Sequence, residues 1–155
     1  MERDGQAYFE VQAGRMSNKA LKQIFDELAN DEKRHYEIFK AMSEGKTPSI
    51  DEAFKTDILT TTKNVFQQLK DSGEKMEFAD DVKQVWIKAR DIEDDAESFY
   101  REKANEATDS AQKAMWNRIA DEEHKHWVAM NNVVNFLSRP EQWLEDAEWT
   151  NLEAY

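Results

Sequence analysis

The sequence predicts an all-α fold: an antiparallel four-helix bundle with a long crossover between helices two and three and a short helix after helix four. Three observations carry this. Apolar residues recur at three- and four-residue steps through long stretches, the period of one helix face. Gly 4 and Pro 2 in 155 residues leave too little turn chemistry for many short strands. Two of the three main connections are short and the middle one is long, which separates this topology from a bundle with short loops throughout.

The elements follow in order along one domain, 1–155, built from two helical hairpins at about 1–44 and 80–138, a crossover at 45–79 and a tail at 139–155. Residues 1 to 14 read as the first helix, with Gly14 able to take a left-handed cap and Ser17 able to cap the next start. The second runs from about Asn18 to Ser43, with Leu21, Ile24, Phe25, Leu28, Glu32, His35, Phe39 and Met42 in register, and stops at Gly45-Lys46-Thr47-Pro48. Ser49-Ile50-Asp51-Glu52 reads as a capping box opening a crossover of one or two shorter helices, which breaks at Asp71-Ser72-Gly73. A third long helix is expected from about Asp80 to Asn105, with Val82, Trp86, Ala89, Glu93, Ala96 and Tyr100 on one face. The fourth follows Ala107-Thr108-Asp109-Ser110, carries Trp116, Ile119, Glu123, His126, Met130, Val133 and Leu137 in register, and stops before Pro140. Beyond it, Trp143, Leu144, Ala147 and Trp149 form an acidic amphipathic segment suited to docking on the bundle.

Charge and composition narrow the chemistry. With 21 basic against 33 acidic residues the formal net charge is −12, and no stretch collects enough Lys and Arg to bind a phosphate backbone, so no nucleic-acid partner is expected. Cysteine is absent, which excludes disulfides, thiol nucleophiles and thiolate-held zinc or iron. Metal chemistry in this chain must use oxygen and nitrogen ligands. The longest apolar runs are only a few residues and Met1 is followed by Glu2, Arg3 and Asp4, so neither a signal peptide nor a membrane span is expected and the location is read as cytoplasmic.

The most informative feature is an internal repeat. Shifted by 91 residues, segment 2–36 aligns with 93–127 without a gap, and 8 of 35 pairs are identical, among them Glu2 with Glu93, Glu32 with Glu123 and His35 with His126. Within each hairpin the turn lies about fifteen residues from both glutamates, so at ~1.5 Å per residue the two carboxylates descend ~22 Å and meet at one level. His35 and His126 follow Glu32 and Glu123 at i+3, on the same face. Four carboxylates thus occupy positions that the apolar pattern assigns to the core, where unpartnered ionised carboxylates cost several kcal/mol each. Two divalent cations would balance them, with one imidazole for each ion. Oxygen and nitrogen donors suit iron or manganese, and zinc would also bind. His124, which projects about 160° from His126, is expected to face solvent. Trp86, Trp116, Trp127 and Phe25 are expected to be packing residues.

The residues that carry this pattern, Glu2–Phe9, Leu28–Phe39, Glu93–Ala104 and Ile119–Trp127, resemble the four helices of a rubrerythrin-like protein of the ferritin superfamily, and the resemblance extends to Arg139-Pro140-Glu141 and the Trp143–Glu148 segment. The resemblance implies a ferritin-like bundle with a non-haem di-iron centre that reacts with hydrogen peroxide or dioxygen. It implies Glu32 and Glu123 as bridging ligands, Glu2 and Glu93 as terminal carboxylates, and His35 and His126 as nitrogen ligands. Full-length rubrerythrins add a four-cysteine rubredoxin domain, absent from this sequence, so an external donor such as a rubredoxin-like protein is implied. Peroxide-reducing relatives carry a further glutamate three residues after the terminal ligand; that position is Ala96 here, and Glu97 is one residue late, rotated by ~100°.

The reading that follows is a small cytoplasmic di-iron oxidoreductase, expected as a homodimer, in which Tyr100 and Tyr8, about two turns from the ligands, could donate hydrogen bonds or protons. Two alternatives belong to other classes. One is iron binding or sequestration with ferroxidase chemistry, for which a large closed assembly would be diagnostic. The other is an interaction bundle that keeps its metals for stability, for which chelation would cost helicity without any redox turnover.

Overall fold

The computed structural model describes residues 2–46, 55–146 and 149–151, in six helices and no strand among the described residues. They are α1 (Glu2–Arg15), α2 (Lys19–Ser43), α3 (Ile58–Ser72), α4 (Asp80–Glu106), α5 (Ser110–Ser138) and α6 (Pro140–Glu145). The all-α expectation holds. α1 packs along α2 and α4 along α5 as two antiparallel hairpins, α1 also touches α4, and α3 crosses between them against α2 and α5.

Capping chemistry sets where α2 and α5 begin. Asn18 Oδ1 accepts from the backbone N–H groups of Ala20 and Leu21 at 3.0 and 3.1 Å, and Asp109 Oδ1 from that of Ala111 at 3.0 Å. These caps are themselves partners in the 91-residue register. The expected Ser17 cap is corrected to Asn18, whose longer side chain reaches the free donors. Gly14 lies inside α1, which continues to Arg15 because the Met16 N–H still bonds the Gln12 carbonyl at 3.0 Å. The left-handed glycines are instead Gly45, at φ 79°, and Gly73, the cap that ends α3, at φ 64°. The Ser49–Glu52 capping box falls outside the described residues.

The main core lies toward one end of the bundle. Phe25 stacks on Trp86 with ring centroids 3.9 Å apart and on Phe9 at 6.2 Å, while Phe66 meets Phe136, Trp143 and Trp149. Trp143, Leu144 and Trp149 are buried, so the tail docks as its pattern predicts; Ala147 is outside the described residues. A second, smaller core at the other end gathers Ile38, Ala96, Tyr100, Met115 and Ile119. Between the two cores the bundle interior turns polar. No helix among the described residues is long and apolar enough to cross a membrane.

Candidate metal centre

Among the described residues, seven ionisable ones are buried in this polar layer: Asp31, Glu32 and His35 on α2, Glu93 on α4, and Glu122, Glu123 and His126 on α5. Both imidazoles are fully buried, and their rings lie 6.2 Å apart, 17° from parallel. Each turns Nδ1 inward. His35 Nδ1 is 3.2 Å from Glu123 Oε1 and 3.8 Å from Glu32 Oε2. His126 Nδ1 is 3.5 Å from Glu123 Oε2, 3.6 Å from Glu32 Oε1 and 3.3 Å from Glu93 Oε2. Glu32 and Glu123 therefore each face one histidine with one oxygen and the other histidine with the second oxygen. That is the arrangement two carboxylates need to span a pair of cations.

The outward nitrogens are held by two carboxylates that the sequence reading passed over. His35 Nε2 pairs with Glu122 Oε2, and His126 Nε2 pairs with Asp31 Oδ2 at 2.9 Å. With Nε2 engaged outward, Nδ1 is the nitrogen that faces the inner carboxylates and is the one available to a cation held there. Such outer partners fix tautomer and ring orientation in metal-binding histidines. Asp31 and Glu122 are 91 residues apart, so the repeat register held a signal for them. Each histidine is thus steadied by a carboxylate of the opposite hairpin.

The two outer carboxylates differ in what lies behind them. Asp31 is bonded by Arg34 and the Thr56 hydroxyl and opens onto a polar cleft of about 540 Å³ lined also by Asp26, Glu27 and Asp57. Behind Glu122 the repeat replaces Asp26 by Asn117, and Arg101 ties Asn117 to Asp121, bonding them at 3.2 and 2.7 Å.

Electrostatics shows a layer short of positive charge. Burial and then the charge of Glu123 hold the Glu93 carboxyl well above the carboxylate range. Burial would also raise Glu123, but the close approach of Glu93, His126 and His35 outweighs it and holds its carboxyl well below that range. Burial pulls His126 down, and the Glu93 charge with the nearby carboxylates of Asp31, Glu123 and Glu32 lifts it well above an ordinary histidine. Asp31 is lowered despite burial, through His126, Thr56 and Arg34. Glu93 Oε1, Glu122 Oε1 and both oxygens of Glu123 are buried without a hydrogen-bond donor. Buried acceptors of this kind are costly unless something positive meets them. Glu32, Glu93, Glu123 and His126 each offer a ligand atom, all within 4.8 Å of one another, a donor set that fits a divalent cation.

The remaining expected site residues lie apart from this group or outside the described side chains. Glu2 opens α1, but its side chain is outside the described residues. Glu97 directs its carboxylate to His124 Nδ1 at 2.9 Å and toward Arg101, away from the cluster, as its ~100° rotation dictates. His124 is exposed, as expected. Tyr100 is buried in an aromatic trio with Phe39 and Trp116, centroids 5.7 to 6.0 Å apart. The Tyr8 hydroxyl donates to the Val85 carbonyl at 3.1 Å, and burial raises its pKa. Trp86 and Phe25 are fully buried packing residues; Trp116 and Trp127 are half-buried.

A rubrerythrin family model matches residues 1–134, nearly the whole described bundle. The chain belongs to the rubrerythrin family. No curated protein and no solved structure matches it. Among the described residues, the buried carboxylate and histidine layer is a group able to hold a metal ion.

Proposed function

We propose that this chain is a non-haem di-iron oxidoreductase of rubrerythrin type that reduces hydrogen peroxide or dioxygen with electrons from an external donor. The observation that carries the reading is the paired orientation of Glu32 and Glu123, each presenting one oxygen toward His35 and the other toward His126. Glu32 and Glu123 would bridge the two ions, His35 and His126 would each ligate one through Nδ1, and Glu93 would complete the ion beside His126. Glu2 would serve as the carboxylate for the ion beside His35. When bound, the ion pair supplies redox chemistry and open coordination positions for the oxidant.

The chain's own groups supply the rest. Asp31 and Glu122 hold the imidazoles with their Nδ1 lone pairs inward, and the apolar cores on either side limit water around the layer. These residues include no cysteine, so electrons would come from a donor outside the bundle, such as a rubredoxin-like protein. Anaerobic Fe(II) titration followed by a peroxide pulse tests the reading. Two irons per chain, rapid appearance of oxo-bridged ferric absorbance, and loss of both in Glu123→Ala are the expected results; failure to bind a metal pair would overturn it.

A further inference from the structure

We propose that a cleft between the C-terminal half of α5 and α6 binds a planar cyclic imide bearing a negative charge, the chemistry shared by flavin and uridine nucleotides. The cleft has a volume of about 340 Å³ and is lined by Trp127, Asn131, Asn132, Asn135, Arg139 and Trp143, a size suited to a small ring system. It begins beyond His126, and Asn132 lies ~9 Å along the helix from that residue, so the cleft is separate from the metal layer.

Three features point to a ligand. The first is an unpaired buried donor. Trp143 is 3% exposed, yet its Nε1 donates no hydrogen bond, whereas Trp149 Nε1 reaches the Leu144 carbonyl at 3.3 Å. A buried indole N–H normally has an acceptor, and this one borders a cavity. Trp86 Nε1 is also unpaired, but that ring is stacked on Phe25 in the core.

The second is charge. In a chain with 33 acidic residues, no carboxylate among the described residues lines the cleft. Arg139 is exposed, forms no ion pair among the described residues, and lies over the Trp143 ring at 5.8 Å. An anion is the charge type this cleft can accept without repulsion.

The third is the polarity of the asparagines. Asn131 turns its oxygen to Arg90 at 3.2 Å, which directs its amide N–H₂ elsewhere. Asn132 spends its N–H₂ on the Val128 carbonyl at 2.7 Å, which leaves its oxygen as an acceptor. With Trp143 Nε1 the cleft offers two donors and one acceptor. Those are the complements of an imide edge, which carries two carbonyls and one N–H. The half-buried indole of Trp127 supplies ring surface.

Titration of the purified protein with flavin mononucleotide, uridine monophosphate, adenosine monophosphate and inorganic phosphate, read by tryptophan fluorescence and calorimetry, tests this. Saturable binding of one or both imide nucleotides is expected with a Kd below about 100 μM, and the comparison between them identifies the ring. Adenosine monophosphate, which stacks and carries phosphate but lacks the imide, should bind at least about tenfold more weakly. Arg139→Gln should weaken the imide nucleotides about tenfold, and Trp143→Phe should weaken all imide probes. Arg139 is exposed, so its variant keeps a folded reference if Trp143→Phe does not. Absence of saturable binding to either imide nucleotide up to about 1 mM, equal binding of adenosine monophosphate, or binding unaltered in Arg139→Gln would overturn the proposal.

Discussion

Removing the Glu122 carboxylate should weaken one of two metal positions while leaving the other nearly intact. Glu122 accepts from His35 Nε2, and its other oxygen is buried without a donor. In Glu122→Ala the imidazole loses the group that fixes its tautomer, so Nδ1 is no longer reserved for metal. Loss of such an outer partner costs about 10- to 100-fold in metal affinity, equivalent to about 1.4 to 2.7 kcal/mol. The effect on folding should be smaller, because an unsatisfied Nε2–H costs about 1–3 kcal/mol while loss of a buried, half-paired carboxylate offsets part of it. Anaerobic Fe(II) calorimetry should resolve two events in the parent protein and a selective 10- to 100-fold loss of one in the variant, with helicity retained. Glu122→Gln keeps an amide oxygen for Nε2–H and should recover most of the affinity. Unchanged affinity at both positions, or equal loss at both, would refute the assignment of Glu122 to His35 alone.

Other perturbations have equally definite outcomes. Glu93 and His126 have raised folded-state pKa values, so each stabilises the fold fully below its unfolded value, about 4.3 and 6.5, and loses that contribution as pH climbs through the folded one. Asp31 and Glu123 are lowered and act in the opposite sense, losing their contribution as pH falls. The Tm of chelator-treated protein should therefore fall as pH rises above the ordinary histidine value of about 6.5, and added metal should flatten that slope. Phe25→Ala, which removes the ring stacked on both Phe9 and Trp86, should cost about 3–5 kcal/mol and lower Tm by about 10 °C, read by calorimetry. Asp109→Ala should cost about 0.5–2 kcal/mol through loss of the α5 cap, with metal stoichiometry unchanged. His124→Ala should leave both metal stoichiometry and Tm within error, since that ring is exposed and its Glu97 contact lies outside the cluster.

The helices were legible because their apolar residues repeat with the helical period, and the carboxylates because Glu32, Glu93 and Glu123 interrupt that period at positions the core should fill. The repeat then tied the separate interruptions together. Asp31 and Glu122 escaped because each precedes a glutamate by one residue and lies ~100° around its helix, off the narrow stripe that periodicity reports. Their burial comes from the approach of α2 to α5, a tertiary fact no single helix contains. Helix ends behaved similarly. Which of Ser17 and Asn18 caps α2 depends on side-chain reach, and whether Gly14 ends α1 depends on one further backbone bond, neither of which composition decides. The directions of Glu97 and the Tyr8 hydroxyl were settled by neighbours on other helices, His124 and Val85, which have no sequence proximity to them.

The crossed arrangement of the outer carboxylates bears on how such a domain assembles. Asp31 steadies the histidine of the second hairpin and Glu122 that of the first, so neither hairpin can prepare its own imidazole. A severed half of the chain would carry a glutamate pair and a histidine of undefined tautomer, and two halves would regain the full geometry only by docking. Tight metal capture, on the proposed function, would in this sense be a readout of bundle closure. The repeated hairpin is complete as a helical unit and incomplete as a ligand, which makes association between the copies a precondition of the chemistry.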